Sequence, residues 1–386
     1  MARSGLMATA RLARGVRRTA LLALALGGAA CAPDPAPPPA WPPGALLVGR
    51  ASALALLAGQ LARIEGTPAA REALAWRAAD LPDCDVVEAQ APQASLAALR
   101  EGLRCADPGG PLAAVHRDRG ERALAFAWPL GLERLTGSVD VSASGDLELR
   151  FEIPGGAFAG PRALLRPGVT QPGPAVLGGA DALLHARLRP EGGIDLPALL
   201  AQGSQADQLF ALRSQLFGAA VLDGTWELAL YLPAEGERLP RVALALGIRH
   251  RSVAQAAAAR FLDEVEAAWP VRRTPFAVGD APGACLRELR VLPGLAPCYV
   301  ATERALVVGW SDASVRKALD GSAPALPASG GLVADLAKLP AADARIAAPE
   351  LPSGAPAWPW RRLVAEPLHA GPSVGLRLAL AGKVGA

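Results

Sequence analysis

Cys84, Cys105, Cys285 and Cys298 form an even set of thiols whose chemistry is oxidation. In an oxidising compartment such a set pairs, and neighbours along the chain pair most simply: Cys84 with Cys105 and Cys285 with Cys298. Zinc is the rival for grouped thiols, but the chain has no Cys-x-x-Cys and no Cys/His cluster at ligand spacing. His116, His185, His250 and His369 are scattered, so each reads as a satisfied or exposed structural histidine. His116-Arg117-Asp118 opens like a kinase catalytic loop. The Asn required after the Asp is missing, as are a Gly-rich loop and an Asp-Phe-Gly, so Asp118-Arg119-Gly120-Glu121 reads better as a hairpin tip. Asp263, Glu264 and Glu266 would suit acid/base work, yet on a helix they mostly face water. Trp269-Pro270-Val271-Arg272-Arg273 recurs as Trp358-Pro359-Trp360-Arg361-Arg362. Indole beside guanidinium suits an anionic headgroup or glycan surface. It also suits a helix end, where Pro270 stops the helix and the arginines complement its carbonyl dipole. No Gly-x-Ser-x-Gly, phosphate loop or His-Glu-x-x-His is present. The sequence therefore predicts no enzyme activity, no metal site and no cofactor.

The fifth cysteine belongs to a different chemistry. A leader carrying Arg3, Arg11, Arg14, Arg17 and Arg18 runs into the apolar stretch Ala20 to Leu26, then Gly27-Gly28-Ala29-Ala30 and Cys31. The run is too short to span a hydrocarbon core of about 30 Å, so residues 1–30 read as an export signal that is removed. The layout resembles that of bacterial lipoproteins, with Gly28 where that family usually carries Leu. The resemblance implies acylation of Cys31 and a membrane partner reached through the lipid. Residues 31–43 form a Pro-rich tether that would hold a body off the membrane. Ala32 stands where inner-membrane lipoproteins carry Asp, which implies the periplasmic face of the outer membrane.

About 340 residues remain, enough for one large or two smaller cores. The chain has 39 Lys+Arg and 36 Asp+Glu, a net charge of +3 that lies largely in the leader, so nucleic acid is not an expected partner. The first unit, 44–154, opens with the strand-like Ala45 to Gly49 and helical patterns over 51–64 and 69–79. A strand at 86–89 and a helix over 93–103 follow. Strand-like alternation at 112–116, 124–128, 135–141 and 147–153 predicts a four-stranded antiparallel meander. A Gly/Pro-rich linker covers 155–179. The second unit, 180–386, holds a strand at 182–187, helical patterns over 196–202 and 205–217, and alternating Trp226, Leu228, Leu230 and Leu232. A strand over 242–247 then feeds a helix over 252–269. The expected fold is α+β: mixed, largely antiparallel sheets with packed amphipathic helices in two related units.

Ala243-Leu244-Ala245-Leu246-Gly247, six residues before Val253, aligns without gaps with Ala305-Leu306-Val307-Val308-Gly309, six residues before Val315. This is either a duplicated strand-to-helix unit or chance recurrence in an Ala/Leu/Val-rich chain. The segments 242–269, 298–319 and Gly331-Leu332-Val333-Ala334-Asp335 resemble the uncharacterised bacterial envelope family known as domain of unknown function 3352. That resemblance implies an architecture and no catalytic residue. The expected role is that of a non-enzymatic, lipid-anchored envelope protein acting in binding or assembly, with a lipid or an envelope protein as partner. The alternative is a carrier or sensor of lipid or another apolar ligand.

Overall fold

The computed structural model describes residues 41–386 apart from 153–174, 190–217, 289–294, 340–358 and runs of one to four residues elsewhere. The expected leader, Cys31, most of the tether, most of the 155–179 linker and the helices expected over 196–217 therefore lie outside the described residues.

Among the described residues sixteen strands form one continuous sheet in the order β10-β11-β12-β13-β9-β8-β7-β14-β15-β16-β6-β5-β4-β1-β2-β3. In chain order they are Ala45–Arg50 (β1), Val86–Ala91 (β2), Arg104–Cys105 (β3), Leu124–Leu130 (β4), Glu133–Val141 (β5), Leu147–Glu152 (β6), Leu184–Leu188 (β7) and Leu222–Tyr231 (β8). The second half adds Arg241–Ile248 (β9), Arg272–Val278 (β10), Ala281–Arg287 (β11), Cys298–Ala301 (β12), Ala305–Gly309 (β13), Gly331–Asp335 (β14), Trp360–Ala370 (β15) and Ser373–Lys383 (β16). Neighbours pair antiparallel throughout. The described helices are Ala51–Leu61 (α1), Pro68–Arg77 (α2), Leu96–Glu101 (α3), Pro111–Arg119 (α4), Arg251–Ala268 (α5) and Asp312–Leu319 (α6).

This corrects the expected α+β fold of two related units with mixed sheets: the molecule is mostly sheet, and the sheet is one. The cause is the C-terminal hairpin β15–β16, which the sequence reading left unassigned. It pairs with β14 on one side and β6 on the other, closing the gap between the halves. A second correction concerns 112–116. Pro111 and the run Leu112, Val115, His116 form α4, so the expected four-stranded meander is β4–β5–β6 with a helix before it. Asp118 and Arg119 end that helix and are not a hairpin tip.

Helices cover both faces where the strands are apolar on both sides. In β1, Ala45 and Leu47 face α1 and α3, whereas Leu46 and Val48 face Leu112 and Val115 of α4. At the other end, Ala243, Ala245 and Val307 pack under Val315 and Ala318 of α6. Leu306 and Val308 pack with Ala254, Ala257 and Ala258 of α5 on the opposite face. Ser311 caps α6 by accepting from the Ser314 N–H at 3.1 Å, and Asp312, Arg316 and Lys317 complement its dipole.

The two aligned segments turn out to be partners: β9 pairs β13 with Ala243 opposite Gly309 and Gly247 opposite Ala305. Their helices lie on opposite faces of the sheet, so the similarity does not extend beyond the strands. The outer strands are guarded: β10 carries Pro275, and β3 is two residues long.

Both disulfides form as paired in the sequence reading. Cys285 and Cys298 face each other across β11 and β12 with Cα atoms 4.0 Å apart. Cys84 is joined to Cys105 of β3 at 5.9 Å. Such bridges belong to an oxidising, exported compartment. No helix among the described residues is long and apolar enough to cross a membrane.

Candidate functional site

Strand alternation puts His185 and Arg187 of β7 on the same face as Glu227, Ala229 and Tyr231 of β8, because His185 pairs Ala229 and Arg187 pairs Glu227. Trp226, Leu228 and Leu230, the apolar set that marked β8 in the sequence, point to the other face. An alternating strand with one apolar face commonly leaves the other to water. The side with the acid is buried instead, the His185 and Glu227 side chains being 2% and 3% exposed.

A carboxylate taken out of water needs donors on its lone pairs. Glu227 accepts the Val176 and Leu177 backbone N–H groups at 2.8 and 3.0 Å and lies 2.6 Å from Nε2 of His185. With the carboxylate as acceptor, the imidazole carries its proton on Nε2. Nδ1 is then left as a buried lone pair with no hydrogen-bond partner among the described residues. Tyr231 closes the same strap from the other side, its hydroxyl donating to the Gly178 carbonyl. Burial, with Asp181 and Glu227 adding negative charge, pushes the Tyr231 phenol well above its ordinary range, so it stays a donor. Gly178 also donates to the Ala318 carbonyl of α6 at 2.6 Å, and Lys317 of α6 pairs with Asp181. The strap 175–179 is thus clipped to β8 and to α6, with Leu177 fully buried in the core beneath.

A carboxylate holding one imidazole nitrogen is how a base is oriented when the other nitrogen meets substrate. Here the carboxylate is filled by strap amides and the ring is enclosed, so the pair works as a fastening. Sequence reading missed it because His185 and Glu227 are 42 residues apart. The available signal was an acid in a strand whose flanking same-face residues, Ala229 and Tyr231, suit a core.

The Trp/Arg motifs do not converge. Arg272 and Arg273 begin β10 and Trp360, Arg361 and Arg362 begin β15, eight strand spacings apart in the sheet order, about 38 Å along it. Trp269 and Trp358 lie outside the described residues. Trp360 is 1% exposed and its Nε1 donates to the Gly145 carbonyl at 2.9 Å, so its indole is a core group. Arg273 bridges Asp263 and Glu266 of α5 at 2.9 and 3.2 Å, and Arg272, Arg361 and Arg362 are exposed. Of the acidic trio, two carboxylates are therefore occupied by β10.

At the start of the body the last tether residues are held down. Arg134 of β5 donates to the Trp41 and Pro42 carbonyls at 3.1 and 2.6 Å, and Gln90 donates to the Pro43 carbonyl at 3.0 Å. Trp41 packs on the core formed by β1 and α4. A groove of about 520 Å³ opens beside this clamp, lined by Pro43, Gly44, Gln90, Pro92, Gly102 and Arg104. Comparison of the chain with protein-family models, with curated proteins and with solved structures found no match.

Proposed function

We propose that the protein is an exported, lipid-anchored component of the bacterial cell envelope that acts by binding or assembly and not by catalysis. The carrying observation is the fate of its best acid/base pair: His185 and Glu227 are enclosed, and the carboxylate is filled by the strap. Two disulfides and the clamp on Trp41 to Pro43 support the anchoring half of the reading, since a tether needs a fixed point of departure. The resemblance to the uncharacterised envelope family belongs to the same proposal. The groove beside the clamp is edged by Gln90 and Arg104, which suits a polar partner segment better than a lipid chain.

Intact-mass analysis of the membrane fraction tests the anchor. The native chain is expected there, cleaved before Cys31 and carrying added acyl mass, whereas Cys31→Ser is expected in the soluble exported fraction. Full-length chain in the cytosol with reduced thiols would overturn the reading. Turnover of any substrate in a broad hydrolase panel, abolished by one polar substitution, would overturn the non-catalytic half.

A further inference from the structure

We propose that the sheet face carrying Trp226 is a floor for the ester-linked acyl chains of a lipid. Residues directly opposite one another in an antiparallel pair project to the same side, so one face can be followed across the sheet by its register. From Leu244 of β9 the row runs through Leu228, Ala186, Leu332 and Ala365 to Leu378 of β16. Beyond Leu244 stands Val308, packed with α5, and beyond Leu378 stands Leu149, in the core that α1 covers. Helices thus flank this face at both ends. The row between them joins none of the cores among the described residues and, Ala186 apart, is only half-buried. The rows on either side are alike, with Trp226 and Leu188 in one and Leu230 and Leu184 in the other, and from β9 to β6 none of the three carries a charged side chain. Arg187, Glu227, Glu366 and Arg377 stand on the reverse face.

The seven strands from β9 to β6 make this floor about 29 Å wide, and Trp226 lies about 14 Å along β8 from Leu230. An acyl chain in a membrane reaches about 15 Å, half of the hydrocarbon core, and so lies across the floor within its bounds. An uncharged face of this extent marks a binding surface, and its polar atom selects the occupant. Trp226 Nε1 is the one polar side-chain atom in the three rows, and it is a buried donor with no hydrogen-bond partner among the described residues. Such a donor calls for an acceptor in an apolar setting. A second copy docked face to face brings the same surface, with no acceptor side chain in it, and leaves both indoles unmet. An acyl ester brings methylenes that cover the leucines and a carbonyl oxygen that accepts from Nε1. The floor is separate from the groove beside the tether clamp. This inference rests on the reading of the protein as one that binds, and does not depend on its anchor.

Native mass spectrometry of the exported Cys31→Ser chain, which has no thiol at the lipid-attachment position, tests the floor with dioctanoyl phosphatidylcholine held below its micelle concentration. A lipid-bound mass is expected, and glycerophosphocholine, the same headgroup without acyl chains, is expected not to compete. Trp226→Phe keeps an aromatic ring and removes the donor. It is expected to weaken lipid binding about tenfold. The urea midpoint of the empty Trp226→Phe chain is expected to stay at or above that of its parent, because an unpaired donor has gone, whereas an indole with a purely structural role would lower it. Arg150→Gln, on the reverse face, is expected to bind as the parent does. Absence of a lipid-bound mass, competition by the headgroup alone, or a dimer mass in place of the lipid-bound one would overturn the proposal. So would a Trp226→Phe chain that binds the lipid undiminished. Each of these outcomes leaves the intact-mass test of the anchor as it stands.

Discussion

Trp360 and Arg361 are adjacent in sequence and opposite in their surroundings. The indole is enclosed with Leu147 and Leu336 and tied to Gly145, while the guanidinium is exposed. Trp360→Ala is therefore expected to cost about 3–5 kcal/mol in urea unfolding, through the cavity and the stranded Gly145 carbonyl. Arg361→Ala is expected to stay within about 0.5 kcal/mol of the native chain. Equal effects would show that the two side chains share one role. At this scale the sequence was half legible. Cysteine pairing could be read because adjacent thiols close short loops, and Cys285 and Cys298 meet across one strand pair. The partner of Arg273 and the burial of Trp360 could not, because they depend on which strand lies beside which.

Between strands, the charges of β6, β15 and β16 form a ladder. Arg377 of β16 binds Glu148 of β6 at 2.7 Å and Glu366 of β15 at 3.4 Å, and Arg150 also reaches Glu148. The Arg377 hydrogen bond holds the Glu148 carboxyl below the usual carboxylate range, against the opposing effect of burial and with help from Arg150. A depressed acid stabilises the fold above its unfolded pKa, and the benefit disappears as pH falls through the lowered folded value. The gap in urea midpoint between native protein and Arg377→Met is thus expected to be widest near neutrality and to close in acid. A gap independent of pH would mean that Arg377 contributes by packing alone. Elements announced by strong alternation, such as Leu147, Leu149 and Phe151 in β6, were legible. The strands of the C-terminal hairpin were not, because in Leu376 to Ala381 leucines line one face while Ala379 and Ala381 make the other apolar as well, which blurs the period. In Leu112 to His116 the short apolar run fits either period, and Pro111 as the first helical residue was the better cue.

For the molecule as a whole, the β15–β16 hairpin is what makes sixteen strands one sheet, and removing residues 359–386 would bare the edges of both β14 and β6. Such edges recruit other chains. The truncated protein is expected to associate on size-exclusion chromatography and to unfold in urea at a lower midpoint than the full chain. A monomer with the native midpoint would show that the halves stand alone. The clamp on Trp41, Pro42 and Pro43 acts at this scale too. With those carbonyls fastened, the proposed acylation of Cys31 would leave residues 32–40 between lipid and body, a chain length of at most about 30 Å when drawn straight. Under the proposed anchoring, such a leash would confine the body to a shallow layer above the lipid headgroups and to partners that come within that height. In that proposed arrangement Arg134→Ala would free the Trp41 and Pro42 carbonyls and so let the body stand further from its lipid.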